Sequence, residues 1–224
     1  MDERNSQAFF PGGQTPTAEL KSDLEKLLGK SSGDRAKIAE TIDSLIAKYS
    51  EEHRFYHNLS HVRALLQNVE KFMGRLTDAD SVRLAVWFHD AIYEPKSLNN
   101  ETESAALAVA ALTELEFPAE KIGKVESMIL ATQKHDAAGL DFDGRLFLDL
   151  DLGILGARAE IYKKYAQAIR AEYSFAPESL YREKRRLVMT SFLRREFIYY
   201  TDELRESHES AARFNIENEI KELS

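Results

Sequence analysis

The segment Leu84-Ala85-Val86-Trp87-Phe88-His89-Asp90 places an imidazole and a carboxylate at the end of a strongly apolar stretch. The apolar spacing before this doublet, which starts at the cap-like Thr77 or Asp78, predicts a buried helix. A charged aspartate in such a place needs a partner, because an unpaired charge is costly to bury. One alternative is a His-Asp pair held by hydrogen bonds at the C-terminus of a helix. The other is a metal ion that both side chains bind.

A second pair of histidines lies upstream, in Tyr56-His57-Asn58-Leu59-Ser60-His61. Residues four apart share one face of a helix, so both imidazoles can reach one site. Asn58 and Ser60 are common at helix starts, so the pair also fits the N-terminus of a helix. This spacing alone is weak evidence, because histidines in a core or on a surface show it too.

Two aspartates complete the set, in Leu148-Asp149-Leu150-Asp151-Leu152. Apolar residues surround them, so at least one carboxylate is expected to point inward. One aspartate can cap a helix that starts here while the other faces the site, and the spacing does not decide between Asp149 and Asp151. Imidazoles and carboxylates are ligands of hard and borderline divalent metals. The three segments together therefore predict a buried metal site.

Helical spacing dominates the rest of the chain, and strand-like alternation is nearly absent. Residues 1–16 are expected to form a loose tail, and residues 17–224 a single all-helical domain. A loop, with a short extended stretch as an alternative, is predicted at 136–147, and a helix is predicted to begin at Asp149. Later helices are predicted at 160–173, 177–201 and 207–223.

Composition limits the classes of function. The chain has 224 residues, of which 43% are hydrophobic and 30% charged, and this is typical of one soluble globular domain. Its net charge of −8 makes it a poor candidate for non-specific nucleic-acid binding, which depends on lysine and arginine contacts to phosphate. The absence of cysteine excludes disulfides, thiolate metal sites and a cysteine nucleophile. No signal peptide or membrane span is evident, so a cytoplasmic location is expected by default.

The three motifs, in this order on an all-helical background, resemble those of the HD-domain metal-dependent phosphohydrolases. The similarity is greatest to an uncharacterised bacterial branch marked by Arg-x-Tyr-His-Asn-x-x-His, Phe-His-Asp-x-x-Tyr and Asp-x-Asp-Leu-x-Ile-Leu-Gly. This chain carries the three motifs at 54–61, 88–93 and 149–156. The resemblance covers roughly residues 50 to 160 and implies an HD-domain-like multi-helix bundle with a buried metal site. The motifs are specific for the superfamily and not for a substrate.

The resemblance also implies which residues hold the metal, namely His61, His89, Asp90 and Asp151. The Tyr-His-Asn-x-x-His segment is similar to the signature of cyclic-nucleotide phosphodiesterases, in which the first histidine is a general acid and the second a ligand. This similarity assigns His57 as proton donor, although the rest of that family's nucleotide pocket has no clear match here. Asp90 has two carboxylate oxygens and is expected to act in catalysis by bridging to a second metal.

The activity that the resemblance implies is hydrolysis of a phosphate ester. One or two divalent ions, with Mn, Mg, Fe, Co, Ni and Zn as candidates, would lower the pKa of bound water to about 7 and offset charge on the phosphoryl oxygens. His57 is suited to protonate the leaving oxygen near neutral pH. The expected substrate is a small phosphorylated metabolite or nucleotide. No nucleic-acid polymer or membrane is expected as a partner. The sequence does not decide between a monomer and a homodimer.

Four further residues are candidates for substrate binding: Arg54, Lys134, His135 and Glu101. His135 precedes the last motif, where some HD proteins place histidines that bind a second metal. It is therefore a candidate both for binding a second metal and for binding the phosphate of the substrate. Arg54 and Lys134 would add positive charge, although such side chains are more often solvated. Glu101 would hydrogen-bond a ligand histidine or a metal-bound water, and capping of an alanine-rich helix is its alternative.

Two other functions fit the same motifs. Some HD-fold proteins resemble di-iron oxygenases, but those need more histidine ligands before the last aspartate than the single His135 found here. A non-catalytic module that binds a metal or a nucleotide is the second alternative. The presence of a full ligand set and a proton donor argues against a site that has lost its activity.

Overall fold

The computed structural model describes residues 17–224, and within them the chain forms ten α-helices and no β-strand. The all-helical prediction is confirmed for this part of the chain, while the tail predicted at 1–16 lies outside the described residues. None of the described helices combines the length and the apolarity that a bilayer crossing needs. The helices are α1 Thr17–Leu28, α2 Arg35–Tyr49, α3 Leu59–Lys71, α4 Ala79–Phe88, α5 Asn100–Glu114, α6 Ala119–Thr132, α7 Phe142–Asp151, α8 Ala159–Glu172, α9 Glu178–Leu193 and α10 Asp202–Glu222, and a 3₁₀ helix, Leu152–Gly156, follows α7.

Helix α4 lies at the centre of the bundle and packs against α3, α5, α6 and α7. Residues 84–88 expose at most 1% of their surface, so this half of the helix is apolar on all sides, as a fully buried segment must be. Asp78, one of the two predicted cap residues, caps its N-terminus, and the buried carboxylate of Asp143 accepts from the backbone N–H of the other, Thr77. These contacts fix the start of α4 and thereby place His89 at its C-terminus.

Helix α7 begins at Phe142 rather than near Asp149. Asp141 accepts a hydrogen bond from the backbone N–H of Gly144 and so caps the first turn. The loop predicted over 136–147 is therefore wrong from residue 142 onward. The polar residues of this stretch resemble those of a turn, but they serve here to start a helix.

Residues 194–201 form a loop between α9 and α10, where the sequence pattern predicted a helix as far as Thr201 and a later start for the next helix. The carboxylates of Glu209 and Asp149 accept from four successive backbone N–H groups, at 198–201. Side chains from distant parts of the chain thus satisfy this backbone instead of helix carbonyls, which makes a non-helical conformation stable.

Candidate metal centre

The ends of five helices meet around one cluster of polar side chains. His61 lies in the first turn of α3, His89 is the C-cap of α4, and Asp151 is the last residue of α7. His135 follows α6, and Glu172 is the last residue of α8. Because α4 and α7 both end at the cluster, the partial negative charges of their C-termini favour a cation there.

His61, His89 and Asp151 each offer one ligand atom, and these atoms all lie within 4.8 Å of one another. Nε2 of His61 is 3.2 Å from both Nε2 of His89 and Oδ1 of Asp151, and Nε2 of His89 is 3.6 Å from Oδ1 of Asp151. Metal–ligand bonds of about 2.0–2.2 Å place neighbouring ligand atoms about 3–3.5 Å apart. Two of the three separations lie in that range and the third exceeds it by 0.1 Å, so this buried group can hold a metal ion.

The backbone fixes the tautomer of His89. Its Nδ1 lies 2.9 Å from the carbonyl oxygen of Val86, and because a carbonyl only accepts, Nδ1 carries the proton. In the neutral ring, the lone pair of Nε2 is then directed at His61 and Asp151, as a metal ligand requires. Burial opposes charge on His89, but the carboxylates of Asp90 and Asp151 outweigh it and raise its pKa well above the usual value. Protons therefore compete with a metal for this nitrogen, and acid should weaken metal binding.

Asp90 lies beside the three-residue group. Its Oδ2 is 3.0 Å from Nε2 of His89 and 3.7 Å from Nε2 of His61. Its side chain is 19% exposed, more than those of the two histidines, so it borders the open side of the cluster. Its predicted tasks, as fourth ligand and as a catalytic bridge to a second metal, stay predictions.

The two aspartates of the last motif have different partners. Asp151 faces the histidines, whereas Asp149 is fully buried and accepts from the backbone N–H groups of Tyr200 and Thr201 and from the Thr201 hydroxyl. Asp149 thus stabilises the start of α10, and not the start of its own helix. Burial raises the pKa of Asp149 to about 6, against the lowering effect of these hydrogen bonds.

His57 and Glu172 form a hydrogen-bonded pair beside the cluster. Nδ1 of His57 donates to Oε2 of Glu172 at 2.7 Å, and Oε1 accepts from the backbone N–H groups of Tyr56 and His57. The hydroxyl of Tyr93 donates to Oε2 at 2.8 Å. The side chain of Glu172 has no exposed surface, whereas 20% of the His57 side chain is exposed. Nδ1 is therefore the anchored nitrogen of His57, and Nε2 is the nitrogen left for other groups.

This pair favours a charged imidazole. Burial opposes the charge on His57, but Glu172 and Asp90 outweigh it and raise the pKa of His57. Burial likewise opposes the charge on Glu172, and the charge and hydrogen bonds of His57 nevertheless lower its pKa. A histidine that holds its proton near neutral pH has the property that a general acid needs.

Glu172 was not among the residues predicted from the sequence. It lies 115 residues from His57 along the chain, so no local motif connects the two. The available signal was its register, because it continues the buried face of α8 that carries Ile161, Tyr165 and Ile169. A carboxylate on the apolar face of a helix needs a partner, so the register of Glu172 indicates a buried hydrogen-bonded or charged neighbour.

No family model, curated protein or solved structure matches the chain. The resemblance to HD-domain phosphohydrolases therefore rests on the motif residues alone.

Arg54, predicted to bind substrate, lies buried between two segments of the chain. Its side chain has no exposed surface, and its guanidinium donates to the backbone carbonyls of His57, Asp90 and Ala91. Arg54 thereby ties the segment before α3 to the segment after α4, which is a structural role. Its role in substrate binding stays a prediction.

Replacing Arg54 by methionine should destabilise the protein by about 2–4 kcal/mol, because three carbonyls lose a charged donor. Urea unfolding would measure this change. Arg145→Met is the matched control, since Arg145 is exposed on α7, and its effect should stay within about 0.5 kcal/mol. Equal stability of Arg54→Met and wild type would contradict the structural role.

The three other substrate-binding candidates lie around the cluster. Nε2 of His135 is 3.9 Å from Oδ2 of Asp151, and its Nδ1 has no hydrogen-bond partner within residues 17–224. Lys134 is exposed beside it. Glu101 is partly buried in the first turn of α5, and burial, with a further contribution from the charge of Asp90, raises its pKa. Their roles in substrate binding stay predictions.

Proposed function

We propose that the protein is an HD-domain-type, metal-dependent phosphohydrolase that acts on a small phosphorylated molecule. The proposal is carried by the meeting of a metal-binding group, His61, His89 and Asp151, with a hydrogen-bonded His57–Glu172 pair. A phosphate ester hydrolyses slowly, because a poor nucleophile must attack an anion and the leaving oxygen needs a proton. The two parts of the cluster correspond to these two needs.

His61, His89 and Asp151, with Asp90 alongside, would hold a divalent ion, which would supply Lewis acidity to a phosphoryl oxygen and to water. The side chains do the remaining work. The partly exposed carboxylate of Asp90 accepts a hydrogen bond from the attacking water and orients it. His57 donates a proton from Nε2 to the leaving oxygen, since Nδ1 is committed to Glu172.

The orientation of His57 is set before a substrate arrives. Besides its bond to Glu172, the ring packs against Tyr93, with ring centroids 4.3 Å apart, and against Tyr56, with centroids 5.0 Å apart. A proton donor that is already held in place needs little reorganisation during the reaction. The surroundings of His57 therefore support a catalytic role more than a structural one.

A substrate screen tests the proposal. The purified full-length chain is incubated separately with Mn, Mg, Co, Ni, Fe and Zn and with a panel of phosphomonoesters, phosphodiesters and nucleotides. Released inorganic phosphate is measured, and chromatography detects the monoester and alcohol that hydrolysis of a phosphodiester gives. We expect turnover with at least one combination, its loss in EDTA, and its loss in Asp90→Asn with the helical circular dichroism unchanged. A metal-loaded protein that hydrolyses no member of the panel would contradict the proposal, as would full activity of Asp90→Asn.

A further inference from the structure

A cleft of about 460 Å³ lies next to the metal centre, between the end of α6, the loop at 194–201 and the start of α10. Its walls include Lys134, His135, Arg195, Phe197, Tyr200 and Arg205. His135 belongs to both places, because its Nε2 is 3.9 Å from Asp151 while its backbone carbonyl is bonded to residues of the cleft.

The charge in this cleft is unbalanced. Three cationic residues line it against two acidic ones. Among the residues that the structure describes, neither Lys134 nor Arg195 forms an ion pair, and Arg205 approaches the exposed Asp202 at 3.4 Å. Unpaired positive charge in a concave site attracts an anion, and the low-dielectric walls strengthen that attraction.

The walls of the cleft are held in place by specific hydrogen bonds. Arg195 donates to the carbonyl of Lys134 at 2.8 Å and to that of His135 at 3.0 Å, and the hydroxyl of Tyr200 donates to the His135 carbonyl at 2.6 Å. His135 itself has a φ of 43° because it ends α6 in a Schellman motif, in which the N–H of Asp136 donates to the carbonyl of Ala131. The bonds from Arg195 and Tyr200 then fix the end of α6 against the loop at 194–201.

The cleft also offers an apolar surface. The ring of Phe197 is 43% exposed, and the guanidinium carbon of Arg205 lies 4.3 Å from its centroid. A flat apolar ring beside cationic groups suits a ligand with both a charged and an organic part.

We propose that this cleft is an anion subsite, which binds a phosphate group other than the one that is hydrolysed. The inference rests on the proposed function and deepens it, because it implies that the substrate is a small molecule with at least two phosphate groups. Lys134 and Nη2 of Arg205 supply donors to the oxygens of the second phosphate, since Nε of Arg205 donates to the carbonyl of Tyr199 and Nη1 to Asp202. Phe197 packs against the organic part. His135 connects this subsite to the metal centre.

Binding of inorganic pyrophosphate to the metal-free, full-length chain in EDTA tests the subsite directly. We expect the backbone amide NMR signals of residues 134–136 and 195–200 to shift on titration. Lys134→Gln should weaken pyrophosphate binding about tenfold, the effect of losing one charge-assisted hydrogen bond. Lys163→Gln is the matched control, since Lys163 is an exposed lysine of α8 and loses the same charge. Equal affinity of wild type and Lys134→Gln, or shifts centred elsewhere, would overturn the subsite.

This binding test needs no turnover, so its result is independent of the hydrolase proposal. In the active protein, Lys134→Gln should raise the KM for a nucleoside diphosphate about tenfold, and it should raise this KM more than the KM of the corresponding monophosphate. Hydrolysis without pyrophosphate binding at the cleft would overturn the subsite alone. Pyrophosphate binding that is sensitive to Lys134→Gln, without hydrolysis of any substrate, would overturn the hydrolase and leave an anion site.

Discussion

His89→Ala is expected to abolish the binding of divalent metal. Nε2 of His89 lies within 3.6 Å of ligand atoms from His61, Asp90 and Asp151, so its loss removes the atom on which the group converges. Metal at one hundred times its Kd should stabilise the wild type by about 2.7 kcal/mol. For a chain of this size, that corresponds to a rise in Tm of roughly 5–10 °C, and the variant should show none. Thermal unfolding with and without metal, together with the metal content of the purified protein, measures both effects.

His89→Ala also creates a cavity, so a second pair of variants separates metal loss from misfolding. Asp151→Asn preserves the shape of the side chain and should lose the metal-dependent rise in Tm. Asp149→Asn, two residues away, should destabilise the protein by about 1–3 kcal/mol, because the N–H groups of Tyr200 and Thr201 lose a charged acceptor. It should nevertheless keep the full response to metal. The opposite result, with the response lost in Asp149→Asn and kept in Asp151→Asn, would exchange the two assignments.

The features that the sequence predicts well are those with local causes. The apolar run before His89, capped at Asp78, predicts α4 and its end, because burial on all sides leaves a continuous apolar stretch. The histidine and aspartate positions of the motifs then indicate which side chains converge. His61, His89 and Asp151 do so in the structure.

The features that the sequence does not predict have long-range causes. The loop at 194–201 is stable because Asp149 and Glu209 accept hydrogen bonds from its backbone. Both residues lie outside the loop, so the spacing of residues within it does not indicate these partners. Arg54 is a further case, since a buried arginine and a solvated one look alike in a sequence. Only the positions of backbone carbonyls on another segment decide between them.

Glu172→Gln is expected to lower turnover about 10- to 100-fold, the range found when a partner that orients a functional histidine is lost. The amide still accepts from the backbone of Tyr56 and His57, but it lacks the charge that raises the pKa of His57. A proton donor works only while protonated, so the rate falls as pH rises through its pKa. Since Glu172 raises that pKa, the fall should begin at a lower pH in Glu172→Gln. A purely structural Glu172 would change stability without moving this limb of the profile.

His57 itself provides the decisive comparison, because the need for a proton depends on the leaving group. With an alkyl phosphate, His57→Ala should lower kcat about 10²- to 10⁴-fold, the contribution of a general acid. With nitrophenyl phosphate, whose leaving group departs as a stable anion, the loss of kcat should be much smaller. Glu172→Gln should likewise lose more activity on the alkyl phosphate than on nitrophenyl phosphate. Glu160→Gln, which removes an exposed carboxylate at the other end of α8, should change neither rate. An equal loss on both substrates in His57→Ala would show that His57 positions the substrate and does not donate the proton.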